Sequence, residues 1–216
     1  MIELHHNGYS ISEIRELIDS KESLELSQQL IANIKKGRSF LESFIERADS
    51  PIYGINTGFG SLCDTEIAPD DLGKLQENLV KSHACGLGDI VDPEIVKYML
   101  VLKVLGLSKG NSGVKLQTVE ALLDLYNSGV LPVVYEQGSL GASGDLAPLA
   151  HLSLPLLGLG EVHYNGEIVS AREALVVEGL SVIELSAKEG LALLNGTQFM
   201  SGYATYILGK LQKHVA

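Results

Sequence analysis

From Glu136 to Asp145 the chain reads Glu-Gln-Gly-Ser-Leu-Gly-Ala-Ser-Gly-Asp, and an apolar run opens directly after it. Three glycines in ten residues rule out regular helix, so a sharp loop must feed a helix here. A second interruption is Pro51-Ile-Tyr-Gly-Ile-Asn-Thr-Gly-Phe-Gly60, which places a tyrosine on a glycine-rich loop. A third is Asn195-Gly196-Thr197. Any fold for this chain must turn at these places.

Between the interruptions the pattern is helical. Ser10-x-x-Glu13 is a capping box, followed by Ile14, Leu17 and Ile18 on one face. Leu24 to Ile34 and Ser39 to Ala48 predict further helix, with Gly37 as a weak break. Asp70 or Asp71 caps a helix running to Ala84, and Asp92-Pro93 starts another running towards Ser108. Val114 to Asn127, Ser170 to Val177 and Ser186 to Leu194 complete the set, the last with a capping box at Ser186 and Glu189. Asn7-Gly8 and Asn165-Gly166 predict two short hairpins, over Ile2 to Ile11 and Val162 to Val169. The expected fold class is therefore mainly α with small β hairpins. From residue 201 helical periodicity continues without a stop signal, so this stretch is expected to begin a longer helix.

Composition narrows the function. A formal net charge of −11 argues against phosphate neutralisation and against docking on an anionic membrane, so neither nucleic acid nor membrane is an expected partner. Cys63 and Cys85 form no CxxC, which fits a reducing compartment, and the expected localisation is cytoplasmic. Cys85 with His83 is too small a set for zinc, so no metal is expected. His5, His6 and His163 show no partner pattern and are expected at the surface, and the acidic residues are expected on solvated helix faces.

Ala142-Ser143-Gly144 is the most informative triplet. In a tightly bent loop the Gly144 nitrogen can approach the Ala142 carbonyl carbon, and glycine leaves that nitrogen unhindered. Ring closure with loss of water, then loss of the Ser143 hydroxyl as a second water, yields a methylidene-imidazolone. That group is an electrophile no ordinary side chain provides, a cofactor made by the chain itself. Two other readings stand beside it. One is a glycine-rich helix start with Asp145 at the cap. The other is a nucleophilic serine, although the order is not Gly-x-Ser-x-Gly and no strand clearly feeds it.

The wider segment Gly138 to His151 resembles the signature of the histidine and phenylalanine ammonia-lyase family. Tyr53 to Gly60 is similar to that family's tyrosine loop, and Leu191 to Gln198 to its asparagine segment. The resemblance covers most of the chain from about Pro51 onward. It implies the multihelical amino-terminal part of the ammonia-lyase/aspartase-like fold over residues 1–200, with 201–216 opening a long helix of a central helical domain. It implies a 4-methylidene-imidazol-5-one built from Ala142, Ser143 and Gly144, with no external cofactor. It gives Tyr53 the role of base for the β-proton, His83 that of contacting the substrate side chain, and Asn195 that of holding the substrate near the electrophile. Ser82-His83, Ala150-His151 and Gln198 are similar to the histidine branch, for which the reaction is L-histidine to trans-urocanate and ammonia.

Each of these residues also has a plainer role open to it: Tyr53 in packing, His83 on a helix face, Asn195 at a helix end. A free tyrosine ionises near about 10, so a tyrosine base needs cationic or hydrogen-bonding neighbours. Family members are longer, assemble as homotetramers and draw site residues from neighbouring subunits, so this chain alone is expected to lack full lyase activity. The alternatives are a tyrosine or phenylalanine lyase or aminomutase with the same electrophile, and a helical assembly domain without catalysis.

Overall fold

The computed structural model describes residues 1–48, 50–57, 67–68, 71–140 and 144–215, with side chains through Gln212. Ala142 and Ser143 lie outside the described residues, as do Cys63, Asp70 and residues 58–60 of the tyrosine loop.

The chain is mainly helical with short, small sheets. In order it forms β1 (Ile2–Leu4), α1 (Ile11–Asp19), β2 (Leu24–Leu26), α2 (Gln28–Arg47), α3 (Leu72–His83), β3 (Leu87–Ile90), α4 (Pro93–Ser108) and α5 (Leu116–Asn127). Then come β4 (Leu131–Pro132), β5 (Tyr135–Gln137), α6 (Leu146–Ser153), a 3₁₀ turn (Leu154–Leu157), β6 (Glu161–Tyr164), β7 (Glu167–Ser170), α7 (Ala171–Val177), α8 (Glu189–Leu194) and α9 (Gln198–Val215).

The core is organised around α4. Asp92 starts it by accepting the Glu94 N–H at 2.9 Å, with Pro93 supplying a first residue that needs no hydrogen-bond acceptor. Beyond that turn α4 is apolar around its circumference apart from Lys97 and Lys103, and Val96, Met99, Leu100 and Val104 are fully buried. A helix of that kind must be enclosed. α9 and α5 pack along it, with α2 and β4 completing the enclosure. Each such aliphatic side chain stabilises the fold by about 1.5–3 kcal/mol through burial.

Several sequence expectations change. The first hairpin does not form: Ile2–Leu4 pairs parallel with Leu24–Leu26, Leu4 opposite Leu26. The capping box explains this. Glu13 N donates to Ser10 Oγ and Ser10 N donates to the Glu13 carboxylate, so the chain after Asn7-Gly8 is committed to α1. α1 then serves as the crossover between the two parallel strands. Leu24 to Leu26 is accordingly strand, and α2 begins only at Gln28. Gly37 does not break α2 either. A Cβ there would lie 1.8 Å from the Gly110 carbonyl oxygen, so this glycine marks a backbone crossing.

The second hairpin is observed as β6–β7, turned at Asn165 and Gly166 with φ of 51° and 85°. His163, expected at the surface, is half-buried on β6, and its Nε2 is enclosed. α8 begins at Glu189, later than Ser186. Glu189 returns one carboxylate oxygen to Ser186 N at 2.8 Å. Its other oxygen accepts Lys115 N at 2.9 Å and Thr118 Oγ1 at 2.5 Å, anchoring the first turn of α5. Glu189 and Asp145 are fully buried, not on solvated faces, because folded backbone supplies each with donors.

Candidate active site

The glycine-rich segment leaves β5 and enters α6 between two other parts of the chain. At its start Gly138 has a φ of 139°, and a Cβ there would come within 3.3 Å of Gly86 Cα, just beyond α3. At its end Gly144 has a φ of 100°, and a Cβ there would stand 2.8 Å from the Gly196 carbonyl oxygen and 3.5 Å from Asn195 Oδ1. Leu140 and Gly144 pair as an isolated antiparallel bridge. Leu140 and Gly144 thus run antiparallel, so the chain at these two residues points in opposite directions, a reversal.

Asp145 fastens this reversal. Its N–H donates to Gly196 O at 2.9 Å. Its carboxylate accepts Ser139 Oγ at 2.7 Å and Met200 N at 3.1 Å. One buried side chain thus joins the start of the loop to the first turn of α9, where the helix dipole favours negative charge. It is formally the N-cap of α6 yet makes no side-chain cap bond there.

Two further groups brace the flanks. Lys103 of α4 is 1% exposed and donates from Nζ to Asn195 O at 3.1 Å. Burial pushes its ammonium pKa down to about 7. His151 of α6 accepts Gly86 N–H on Nε2 at 3.0 Å and meets the Tyr135 ring edge-to-face with centroids 5.0 Å apart. Burial lowers its pKa, consistent with a neutral ring whose Nε2 is free to accept.

The sequence candidates fall around this frame as follows. Asn195 is the C-cap of α8, exposed, with its side chain at the Gly144 corner. Its helix-ending role and its site position coexist. His83 ends α3, half-buried, with Nδ1 2.9 Å from Leu79 O and 3.2 Å from Ser82 Oγ. It precedes by three residues the glycine that lies against the start of the loop. Tyr53 is 58% exposed on a turn made by Ile52 N donating to Asn56 Oδ1 at 2.5 Å and by Gly54 at a φ of 73°. Ile55 of that turn packs with Leu41 and Ala187, so the tyrosine loop rests beside the segment leading into α8. These contacts gather Gly144, Asn195 and the chain following His83.

Of these structural supports the sequence left Lys103 without a role, read Asp145 only as a cap, and used His151 only in the resemblance. A signal existed for Lys103, a lone cation within Met99-Leu100-Val101-Leu102-Lys103-Val104-Leu105. Among the described residues no group of three or more His, Cys, Asp or Glu side chains is placed to hold a metal.

Comparison with known proteins adds an independent line. The profile of the aromatic amino acid lyase family matches residues 9–216. The histidine ammonia-lyase of Shewanella pealeana is 49% identical over 195 residues, covering 90% of this chain and 38% of that protein. Among solved structures, histidine ammonia-lyase from Trypanosoma cruzi superposes with a TM-score of 0.86 at 37% identity, over 95% of this chain and 39% of that one. Pantoea agglomerans phenylalanine aminomutase superposes with a TM-score of 0.89 at 31% identity, over 98% and 41%. The chain spans about two fifths of the length of the relatives it matches.

Proposed function

Since the chain belongs to the aromatic amino acid lyase family, we propose that it carries the electrophile-bearing part of a histidine ammonia-lyase, which converts L-histidine to trans-urocanate and ammonia. The observation that carries this reading is the Gly144 corner. A residue that must lend its nitrogen to a ring needs to be bare. Gly144 combines a left-handed φ of 100° with a neighbouring carbonyl 2.8 Å from where any Cβ would sit.

The residues fit a self-made 4-methylidene-imidazol-5-one from Ala142, Ser143 and Gly144. When formed, it supplies a carbon electrophile that makes an amine a better leaving group. The Asn195 side chain binds the substrate beside Gly144 through polar contacts. His83 meets the imidazole of the substrate, supported by Ser82-His83 and by the similarity to histidine ammonia-lyases. Tyr53 serves as the base for the β-proton. The exposure of its turn suits it to face substrate. The further substrate groups and the homotetramer of the family belong to the same proposal.

Similarity to an aminomutase supports a second reading, in which the same corner returns ammonia to the β-carbon. Product analysis separates the two. Purified protein of native full length is expected to be two waters lighter than its sequence and to generate urocanate absorbance from histidine. Ser143→Ala is expected to retain the unaltered mass, fold normally and lose activity. His83→Leu is expected to lose the two waters while using histidine poorly. A chain of unaltered mass and no urocanate would refute the lyase reading, and a β-amino acid product would favour the mutase.

A further inference from the structure

The most unusual group outside the residues assigned above is Lys103. It lies in the middle of α4, 1% exposed among aliphatic side chains. Burying an amine there is costly unless a specific partner rewards it. Its partner is a backbone carbonyl 92 positions away, that of Asn195, at 3.1 Å. The next carbonyl, that of Gly196, accepts Asp145 N–H at 2.9 Å. Two successive carbonyls of one turn are therefore held by different elements, α4 on one side and the start of α6 on the other. Between them stands Asn195, whose side chain lies at Gly144.

Space explains why a turn of this kind needs external anchors. Asn195 ends α8 in extended geometry, with ψ of 127°, and Gly196 follows with a φ of 150°. Asn195 N–H still closes α8 onto Leu191 O at 2.9 Å, but the Asn195 and Gly196 carbonyls lie past the helix, so the orientation of the Asn195 amide also depends on what grips those carbonyls.

We propose that Lys103 is a positioning residue for the reaction: its amine fixes the Asn195 carbonyl and so aims the Asn195 side chain at the electrophile corner. This rests on the functional reading above. The amine needs only to donate one hydrogen bond and can do so whether neutral or charged. Its bond is to the Asn195 carbonyl, so its influence on the corner passes through Asn195 and Gly196. The loop itself is separately held by Asp145, and loss of Lys103 should leave dehydration of the triplet largely intact.

The test uses the protein at its native full length. Lys103→Met preserves chain length and apolar packing while removing the donor. Lys103→Gln, a neutral amide that falls short of the carbonyl, serves if the methionine variant does not fold. The quantities read are the mass deficit of two waters, kcat and KM for histidine per dehydrated molecule, and amide hydrogen exchange at residues 195–197. The expected result is a normal mass deficit, a loss in kcat of roughly tenfold or more, and faster exchange confined to that turn; displacement of a positioned group by an ångström can cost about a hundredfold. Wild-type kcat in a folded, dehydrated variant would overturn the inference alone. A fall in melting temperature without a change in kcat of the folded molecules would also overturn it, assigning Lys103 to packing. A wild-type chain lacking the mass deficit would overturn the functional reading and this inference with it.

Discussion

Gly144 excludes a side chain for two independent reasons, a backbone conformation that L residues rarely adopt and a carbonyl where the Cβ would go. Gly144→Ala is therefore expected to destabilise the fold by about 1–3 kcal/mol, read from urea unfolding, and to abolish the two-water mass deficit. Relief of the clash would swing the loop away from Asn195, so the two effects should appear together. A dehydrated alanine variant of unchanged stability would contradict this account. Gly144 could be singled out from residue order, and Asn195 and His83 from the resemblance of their short segments to those of a known family; the structure brings the Asn195 side chain beside Gly144. Asp145 could not be. Its partner Met200 is 55 positions away, and from sequence an aspartate before an apolar run reads simply as a cap. Lys103 escaped notice and Glu189 was read only as half of a capping box for the same reason, since their bonds reach Asn195 and Thr118 across 92 and 71 positions.

At the scale of elements, α6 clasps the exit of α3 through a single imidazole. His151 must be unprotonated at Nε2 to accept Gly86 N–H, and burial lowers its pKa below the ordinary histidine value. The sign follows from proton binding. As pH falls below about 6.5, the unfolded chain gains a proton that the folded ring resists, so stability is lost. Above that value the contribution is fully present. His163, lowered by burial in the same way, adds a loss of the same sign. His151→Gln should flatten, without abolishing, the decline in urea midpoint between about pH 6.5 and 5. An unchanged slope would remove His151 from the clasp. Helix identities at this scale were largely readable, since α1, α4, α5 and α7 begin at the caps or periodic runs that announce them. Among the strands, β1 was expected only within a hairpin and so with the wrong partner, and β2 to β5 were not anticipated. They are two to four residues long and find partners in distant segments, so alternation has no room to declare itself. Gly37 was misread because a glycine that permits a close approach looks, in sequence, like one that ends a helix.

The whole chain is a buried α4 wrapped by other helices, with the candidate site placed at one margin where the ends of α3 and α8 meet the segment before α6. Ordinary burial energetics account for the wrapping, and the mainly helical class followed directly from the periodicity. The assembly of the margin did not follow, because no local pattern says which loop lies beside which. One further contact limits how such a chain can diverge. Where α2 crosses the end of α4, Gly37 meets Gly110 so closely that one backbone oxygen fills the place of a Cβ. Gly110 in turn faces the Asn33 carbonyl at 2.3 Å from its own Cβ position. In a saturation library sorted only for intracellular abundance, codons 37 and 110 are expected to be purged of everything but glycine, whereas codon 8, where an added methyl meets nothing, should accept alanine and serine freely. Tolerance at position 37 would mean that the two backbones can part without cost, and that lineages are free to rebuild this crossing.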